Sequence, residues 1–298
     1  MSRPAGFVIA FALLASLPAA SPLAQRDDSR SIVPEAFLNA RPAGSASGDR
    51  PVYRPVGRGG AAGGGTPVEL GVTLWRLRSP RPTDSMRLLV HQGAQSLELT
   101  PERLSLDARL ASGDRLRITI ESPRDGYLYV VDAEQYANGS TGQPYLIFPT
   151  KRTRGGDNKV TGGRIVDIPA QDDAPPYLTM RPSRADQVGE RLTLIVVKEP
   201  IADLTIGPEP LAVDRQRVAA WEKRGSGGVQ RFEMQSGAGK AWTAAERAAS
   251  DGTRRLTRED PPPQTLLRIS SPDPAFVAFP LQVFQQRSDR SQRRSTVR

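Results

Sequence analysis

The side chains of this sequence that could do chemistry are mainly cationic. A basic, glycine-rich loop covers residues 150–159, and a second basic stretch covers residues 285–298. Guanidinium and ammonium groups bind phosphate, sulfate and carboxylate groups, so the loop could form an anion-binding lip. The residues predicted to contact an anion or an anionic partner are Lys151, Arg152, Arg154, Arg293 and Arg294.

Residue types that carry out catalysis are scarce. The sequence has no cysteine and one histidine, which excludes thiol nucleophiles, disulfides and thiolate metal sites. That histidine, His91, stands beside a Gln92-Gly93 turn and is better explained as a turn residue than as a ligand or base. No G-x-S-x-G or S-x-x-K motif is present. We therefore expect neither an enzyme nor a cofactor, although a hydrolase with two carboxylates stays open and would need a pocket that brings two of them close.

Two segments imitate ligand-binding loops. The run Gly237–Ala241 resembles half of a Walker loop, but Met234 and Ala241 occupy positions that require glycine and a hydroxyl residue. Asp157 could bind calcium, yet the segment lacks the spaced oxygen ligands of a calcium loop. We predict instead that Asp157 and Asn158 form Asx-type turn bonds with nearby backbone amides.

The N-terminus predicts the compartment. Arg3 precedes an apolar run over residues 7–17, and small residues follow up to Ala24, which is the layout of a secretory signal peptide over 1–24. Cleavage after Ala20 or Ala24 would fit. The run is shorter than the roughly 20 residues that a membrane span needs. We expect an exported protein, periplasmic or extracellular, with no transmembrane span in the mature chain.

The formal net charge of +9 comes mostly from arginine. Such a chain could meet nucleic acid, anionic lipid or acidic wall polymers, but an arginine bias can equally reflect genome base composition. We expect no specific nucleic-acid partner. Residues 25–66 are rich in arginine, proline and glycine and are predicted to form a disordered linker, and residues 285–298 a basic disordered tail that is either solvated or attracted to polyanions.

The clearest strands lie in the middle of the chain. Apolar and polar residues alternate over 116–121, whereas residues 127–131 are apolar on both parities, so both faces of that strand should be covered. A third strand is predicted over 145–148, and the three are expected to form a meander. A parity switch predicts a bulge or strand end near Trp75 in the first strand, which begins at Val68.

Further strands are predicted over 192–197, 265–269 and 276–284, the later ones completing a sheet that begins at Val68. Capping residues predict helices over about 215–224, after Asp214, and over about 244–250, after Thr243. The predicted fold is mainly β, an antiparallel, Ig-like β-sandwich over 67–284 with two short helices near its C-terminal part.

The core of this domain resembles a known family. Over about residues 104–200 the order GDRLRITI, DGYLYVVD, YLIFP, GGDNKVTGG, IP and GERLTLIV, followed by a proline, is similar to the bacterial domain of unknown function 4384. The resemblance implies a β-rich, extracytoplasmic module, often attached to other domains, with no shared catalytic residue. No recognisable catalytic domain is attached here.

Three functions follow from the sequence, in order of preference. The first is an envelope protein–protein adaptor, a binding or scaffolding module with envelope proteins as partners. The second is a binder of an anionic wall polymer or of lipid headgroups through the basic loop and tail. The third is a hydrolase.

Overall fold

The computed structural model describes residues 32, 34–44, 51–57, 65–92, 95–225 and 228–285. The predicted signal peptide, Arg293 and Arg294 lie outside these residues, as does all of the predicted tail except Gln285. The described part is mainly β, and no helix in it is long and apolar enough to cross a membrane.

Two sheets account for the strands, which are numbered here in chain order. The larger sheet contains β1 (Tyr53–Val56), β2 (Thr66–Arg78), β3 (Leu88–Gln92), β4 (Gln95–Leu104), β6 (Arg115–Glu121), β10 (Ile165–Ile168), β11 (Leu178–Thr179), β14 (Gln230–Met234) and β15 (Thr265–Ser271). The smaller sheet contains β5 (Arg109–Leu110), β7 (Gly126–Tyr136), β8 (Tyr145–Phe148), β9 (Lys159–Val160), β12 (Gln187–Val197), β13 (Leu211–Ala212) and β16 (Phe276–Gln285). Three α-helices pack outside them: α1 (Glu35–Asn39), α2 (Arg215–Gly225) and α3 (Ala244–Ser250).

The two sheets enclose one main apolar core. Leu70 and Val72 of β2 pack in it with Val130 of β7, Leu194 of β12 and Phe279 of β16, all nearly inaccessible to water. Every described strand pairing is antiparallel except that of β5 with β16. The predicted antiparallel sandwich is confirmed, and β15 pairs with β2, as expected for a strand that completes the first sheet.

The predicted meander is wrong. Strand β6 belongs to the larger sheet, where it pairs with β2, whereas β7 and β8 belong to the smaller one. Residues 122–125 therefore carry the chain from one sheet to the other instead of closing a hairpin. A short crossover between two sheets and a short hairpin turn within one sheet have similar sequences. The prediction that both faces of β7 are covered is confirmed, because Val130 faces the main core and Val131 faces a second cluster beneath α2.

Strand β2 has no bulge at Trp75. Its pairing register runs on without a shift opposite β15, β6 and β4. The apolar residues change parity at Trp75 for another reason, which is that the outer face of β2 is also covered there. Trp75 and Leu77 pack in a separate apolar cluster with Trp242. Similarly, His91 lies within β3 opposite Ser96 and not in a turn.

Part of the predicted linker is ordered. Residues 34–44 and 51–57 contribute α1 and β1, and Phe37, Arg41 and Tyr53 are each at most 1% exposed. Phe37 and Tyr53 pack with Phe232 of β14 and Leu266 of β15. These few buried side chains lie in a glycine- and arginine-rich segment, so the overall composition of that segment does not reveal them. The linker prediction is therefore wrong for the described residues of 25–66.

The two predicted helices are present. Oδ1 of Asp214 accepts from the amides of Gln216 and Arg217 at the start of α2. Trp221 docks this helix on the smaller sheet. Thr243 and Glu246 form a complete capping box at the start of α3, which fixes that helix over β10.

Candidate functional site

A cleft of about 480 Å³ opens beside β10 and the C-terminal end of α3. Four arginines line it, and three aspartates and several small or polar residues complete its walls. The lining residues are Arg154, Arg164, Ile165, Asp167, Ala170, Gln171, Asp172, Ala249, Ser250, Asp251, Gly252, Arg254 and Arg255.

Arg154 reaches the cleft from a tightly curled loop. Arg154, Gly155 and Gly156 form a single 3₁₀ turn, and all three have positive φ, at 53°, 62° and 87°. The left-handed region is unfavourable for a residue with a Cβ, so the loop holds Arg154 in a conformation that costs on the order of 1 kcal/mol. Nη1 of Arg154 is buried, and no described residue forms a hydrogen bond with it.

Arg154 and Arg164 share one carboxylate. Oδ2 of Asp157 lies 2.6 Å from Nη2 of Arg164 and 3.6 Å from Nη2 of Arg154. Burial lowers the pKa of Arg154, and repulsion by the Arg164 guanidinium lowers it further. Burial raises the pKa of Asp157, but the Lys159 amide and the Arg164 guanidinium outweigh it and the net pKa is lowered. Attraction to Asp157, Asp167 and Asp172 opposes these effects on the pKa of Arg154 without outweighing them, so two adjacent guanidinium groups repel each other at this end of the cleft.

The opposite wall comes from the chain after α3. Arg254 forms an ion pair with Asp260, and Arg255 donates from Nη2 to Oγ1 of Thr161 at 3.0 Å. Asp172 and Asp251 add exposed negative charge to the rim. The cleft therefore offers cationic donors beside a smaller number of carboxylate acceptors.

The floor is a buried hydrogen-bond chain. Oγ of Ser250 donates to Oδ2 of Asp167, whose Oδ1 accepts from Oγ1 of Thr119 at 2.6 Å. Nε1 of Trp75 donates to Oγ1 of Thr119 at 2.7 Å. Asp167 is only 4% exposed. Because each of these groups has its partner, the floor is rigid and the orientation of Ser250 is fixed.

Behind the floor lies a small chamber of about 20 Å³, large enough for one water molecule. Its walls include Arg41, Glu121 and Glu246, all buried. Arg41 pairs with Glu121, and Arg103 pairs with Glu246. These contacts fasten the N-terminal segment and α3 to the larger sheet, so the chamber supports the cleft structurally.

Of the predicted anion-binding residues, the structure brings one to the cleft. Arg154 lines it, whereas Lys151 is exposed elsewhere on the loop and Arg152 pairs with Glu209 on the surface. Arg293 and Arg294 lie outside the described residues. Sequence reasoning missed three of the four arginines. The Gly-Gly-Arg164 turn and the Arg254-Arg255 pair after α3 were the available signals.

The predicted Asx turn is confirmed at Asp157, whose Oδ1 accepts from the Lys159 amide at 3.0 Å. It is wrong for Asn158, whose Nδ2 donates across to the carbonyl of Leu128 on β7 at 3.0 Å. Within the described ranges, no group of three or more histidine, cysteine, aspartate or glutamate residues could hold a metal ion.

A second cavity contains two carboxylates. It measures about 180 Å³, lies between the sheets apart from the arginine-lined cleft, and includes Asp132 and Glu190 among mainly aliphatic walls. This is the kind of pairing that the hydrolase hypothesis requires.

Comparison with known proteins finds one segment that resembles a family. Residues 109–188 match the model of the domain of unknown function family DUF4384. No curated protein and no solved structure matches the chain. The matched segment contributes Arg154, Arg164 and the floor residue Asp167, whereas Ser250, Arg254 and Arg255 lie outside it. The cleft is therefore built jointly by the family segment and by the chain that follows it.

Proposed function

We propose that this protein is an exported, non-enzymatic binding module of the bacterial cell envelope that holds an anionic group of its ligand in the arginine cleft. The observation that carries the proposal is the buried Nη1 of Arg154, which has no hydrogen-bond partner among the described residues and belongs to a side chain beside a second guanidinium. A buried donor without an acceptor is costly, and an anionic oxygen would satisfy it. The ligands that fit are anionic wall polymers and lipid headgroups, which share a phosphate group.

The shape of the cleft favours a defined ligand over diffuse attraction. Its volume of about 480 Å³ falls in the range of small-ligand sites. Arginine forks bind phosphate in two-point geometry, and the aspartates at the rim disfavour ligands with dense negative charge. In a ligand that has both a phosphate and hydroxyl groups, the phosphate would bind the arginines and the hydroxyl groups would donate to the aspartates.

The adaptor function is the second candidate. Strand β3 ends the larger sheet and pairs only with β4 within the described residues, and its Leu89 is 55% exposed. An edge strand with an exposed apolar side chain is a surface to which a partner's strand could add. Capture of a discrete envelope protein that persists at high salt would favour this function.

We propose no reaction at Asp132 and Glu190. A glycosidase pair flanks a polar, hydrated substrate cleft, whereas most of the walls around these two carboxylates are aliphatic.

Export is part of the proposal and rests on the layout of residues 1–24. Expression of the full gene in a bacterial host, followed by mass analysis of the mature protein, tests it. A periplasmic or secreted chain that begins at Ser21 or Gln25 would support export, and an unprocessed cytoplasmic chain would contradict it.

Titration calorimetry with inorganic phosphate tests the cleft. We expect saturable binding to the wild type and a loss of about tenfold in affinity for Arg154→Gln, which keeps a polar side chain but removes the guanidinium charge. Arg152→Gln is the matched control, because Arg152 lies in the same loop outside the cleft, and it should leave affinity unchanged. Equal losses in both variants, or no saturable binding, would contradict the proposal. Phosphatidylglycerol vesicles and soluble polyglycerol phosphate then distinguish lipid from polymer.

A further inference from the structure

The 180 Å³ cavity is a slot at one end of the sandwich, between the two sheets. It shares no lining residue with the arginine cleft. Its walls are mostly side chains that elsewhere would fill a core, and its polar groups are few. The lining residues are Leu74, Leu116, Ile118, Asp132, Ile147, Leu178, Thr179, Met180, Arg181, Glu190, Leu192 and Val283.

Pairing of β7 with β12 concentrates negative charge beside this slot. Glu190 lies directly opposite Glu134, and Asp132 lies opposite Leu192, two residues further along. Side chains two apart on a strand share a face, so the three carboxylates lie on the face that carries Val130 into the main core. Like charges directly opposite each other destabilise a sheet, and nothing in the sandwich itself requires them.

The carboxylates are incompletely satisfied. Oδ1 of Asp132 and Oε2 of Glu190 are buried and have no hydrogen-bond partner in the described part of the chain. The other oxygen of Glu190 accepts from Nε2 of Gln187 at 2.6 Å. Glu134 accepts from the Tyr136 hydroxyl, also at 2.6 Å. The two buried oxygens that remain are acceptors on the wall of an apolar cavity.

Two guanidinium groups lie near this end of the sandwich. Arg184 pairs with Asp186 and stacks on Tyr136, so its charge is compensated there. Arg181 lines the slot but has an exposed side chain. Burial, and then repulsion by Asp132 and Glu134, raises the pKa of Glu190 to about 8. Burial, with a smaller contribution from Glu134, raises the pKa of Asp132 to about 6. Neither pKa is lowered by a cation among the described residues, so ionisation of these carboxyl groups is not compensated there.

We propose that this slot is a binding site for a short aliphatic amine, held as its ammonium ion by Asp132 and Glu190 with its hydrocarbon chain against the aliphatic walls. Charge complementarity selects the cation, and the lining selects an apolar tail over a sugar or a peptide backbone. The volume lies below that of drug-sized sites, which restricts the ligand to a small molecule. This site is independent of the proposed phosphate function.

Titration calorimetry with three probes tests the assignment: hexylamine, 1-hexanol, which has the tail without the charge, and methylammonium, which has the charge without the tail. We expect saturable binding of hexylamine at pH 9, at least tenfold tighter than either control probe. Affinity should fall about tenfold at pH 5, because the carboxylates gain protons while the amine stays protonated.

Variants identify the carboxylates as the cause. The double variant Asp132→Asn with Glu190→Gln removes both charges and keeps the side-chain shapes, so it should stay folded and lose at least tenfold in hexylamine affinity. Asp125→Asn, in an exposed turn, is the matched control. No saturable binding, equal affinity for hexanol, or unchanged affinity of the double variant would overturn the proposal.

The basic residues after Gln285 supply a further test. A chain that ends at Gln285 should bind hexylamine with unchanged affinity. A tenfold gain on truncation would show that residues 286–298 compete for the slot, and would assign it to the chain's own arginines instead of to an external amine.

Discussion

Arg41 and Glu121 form a bidentate ion pair that is fully enclosed by protein. Nε of Arg41 lies 2.7 Å from Oε1 of Glu121, and Nη2 lies 2.6 Å from Oε2. Nη1 of Arg41 donates to the carbonyls of Thr257 and Asp260. One side chain thus joins the N-terminal segment, β6 and the stretch after α3.

Replacing Arg41 by methionine should therefore destabilise the protein strongly. The change leaves the Glu121 carboxylate buried without a counter-ion, which costs about 3–5 kcal/mol. Urea unfolding at neutral pH measures the loss. The exposed pair of Arg87 with Glu98 is the control, and Arg87→Met should cost less than about 1 kcal/mol. Similar losses in the free energy of unfolding for the two variants would show that the buried ion pair stabilises the protein no more than the exposed pair does.

Removing the Glu190 charge should stabilise the protein at high pH. The folded-state pKa of Glu190 is raised to about 8, so the folded state holds this proton above the pH at which the unfolded chain releases it. The resulting stability is fully present below about pH 4 and is lost as the pH rises through 8. Glu190→Gln should therefore match the wild type at pH 4 and exceed it at pH 9 by about 4–5 kcal/mol.

Urea unfolding at pH 4, 6 and 9 checks this pH dependence. The exposed Glu199 provides the control variant Glu199→Gln, which should follow the wild type at all three values. A difference between Glu190→Gln and the wild type that does not change with pH would contradict the charge explanation.

Gly162 should not tolerate a side chain. A Cβ at this position would lie 2.1 Å from the carbonyl oxygen of Ala40, which follows α1. Gly162→Ala should therefore push the N-terminal segment away, cost about 2 kcal/mol and increase its cleavage by a nonspecific protease. Gly207→Ala is the control, because the nearest atom there is 4.0 Å away. Unchanged protection of residues 34–44 in Gly162→Ala would disprove the close contact.

Neutralising Asp172 should strengthen anion binding. Its exposed carboxylate lies on the rim of the arginine cleft and opposes the positive charge of Arg154. Asp172→Asn should raise the affinity for inorganic phosphate about threefold at low salt, and the gain should fade as salt screens the charge. Thermal stability should not change. Glu98→Gln, at an exposed position on β4 that does not line the cleft, should have no effect, and an equal gain there would point to net charge alone.

Local sequence signals predicted much of this fold. Residues 145–148 form a strand at the predicted bounds, and Thr243 caps α3 as expected. These features depend on side-chain alternation and capping within a few residues. Whether Ser122 to Asp125 closes a hairpin or crosses between sheets depends on distant partners, so the position of β6 could not be predicted.

The candidate site depended even more on distant contacts. Arg154 was predicted because it lies in a basic loop. Arg164 and Arg255 could not be grouped with it, because only the packing of α3 over β10 brings the three together. The anchors Phe37 and Tyr53 were missed for the same reason, since their partners are about 200 residues further along the chain.

The larger sheet joins strands that lie far apart in the sequence, which affects when the protein can fold. The backbone amide of Gln264 donates to Oγ1 of Thr73, 191 residues away. In the same region β15 pairs with β2. Strand β2 is synthesised early, and one of its edges stays unpaired until β15 has also been synthesised. We therefore expect the larger sheet to assemble late and slowly, with the apolar strand β2 prone to aggregation until β15 pairs with it.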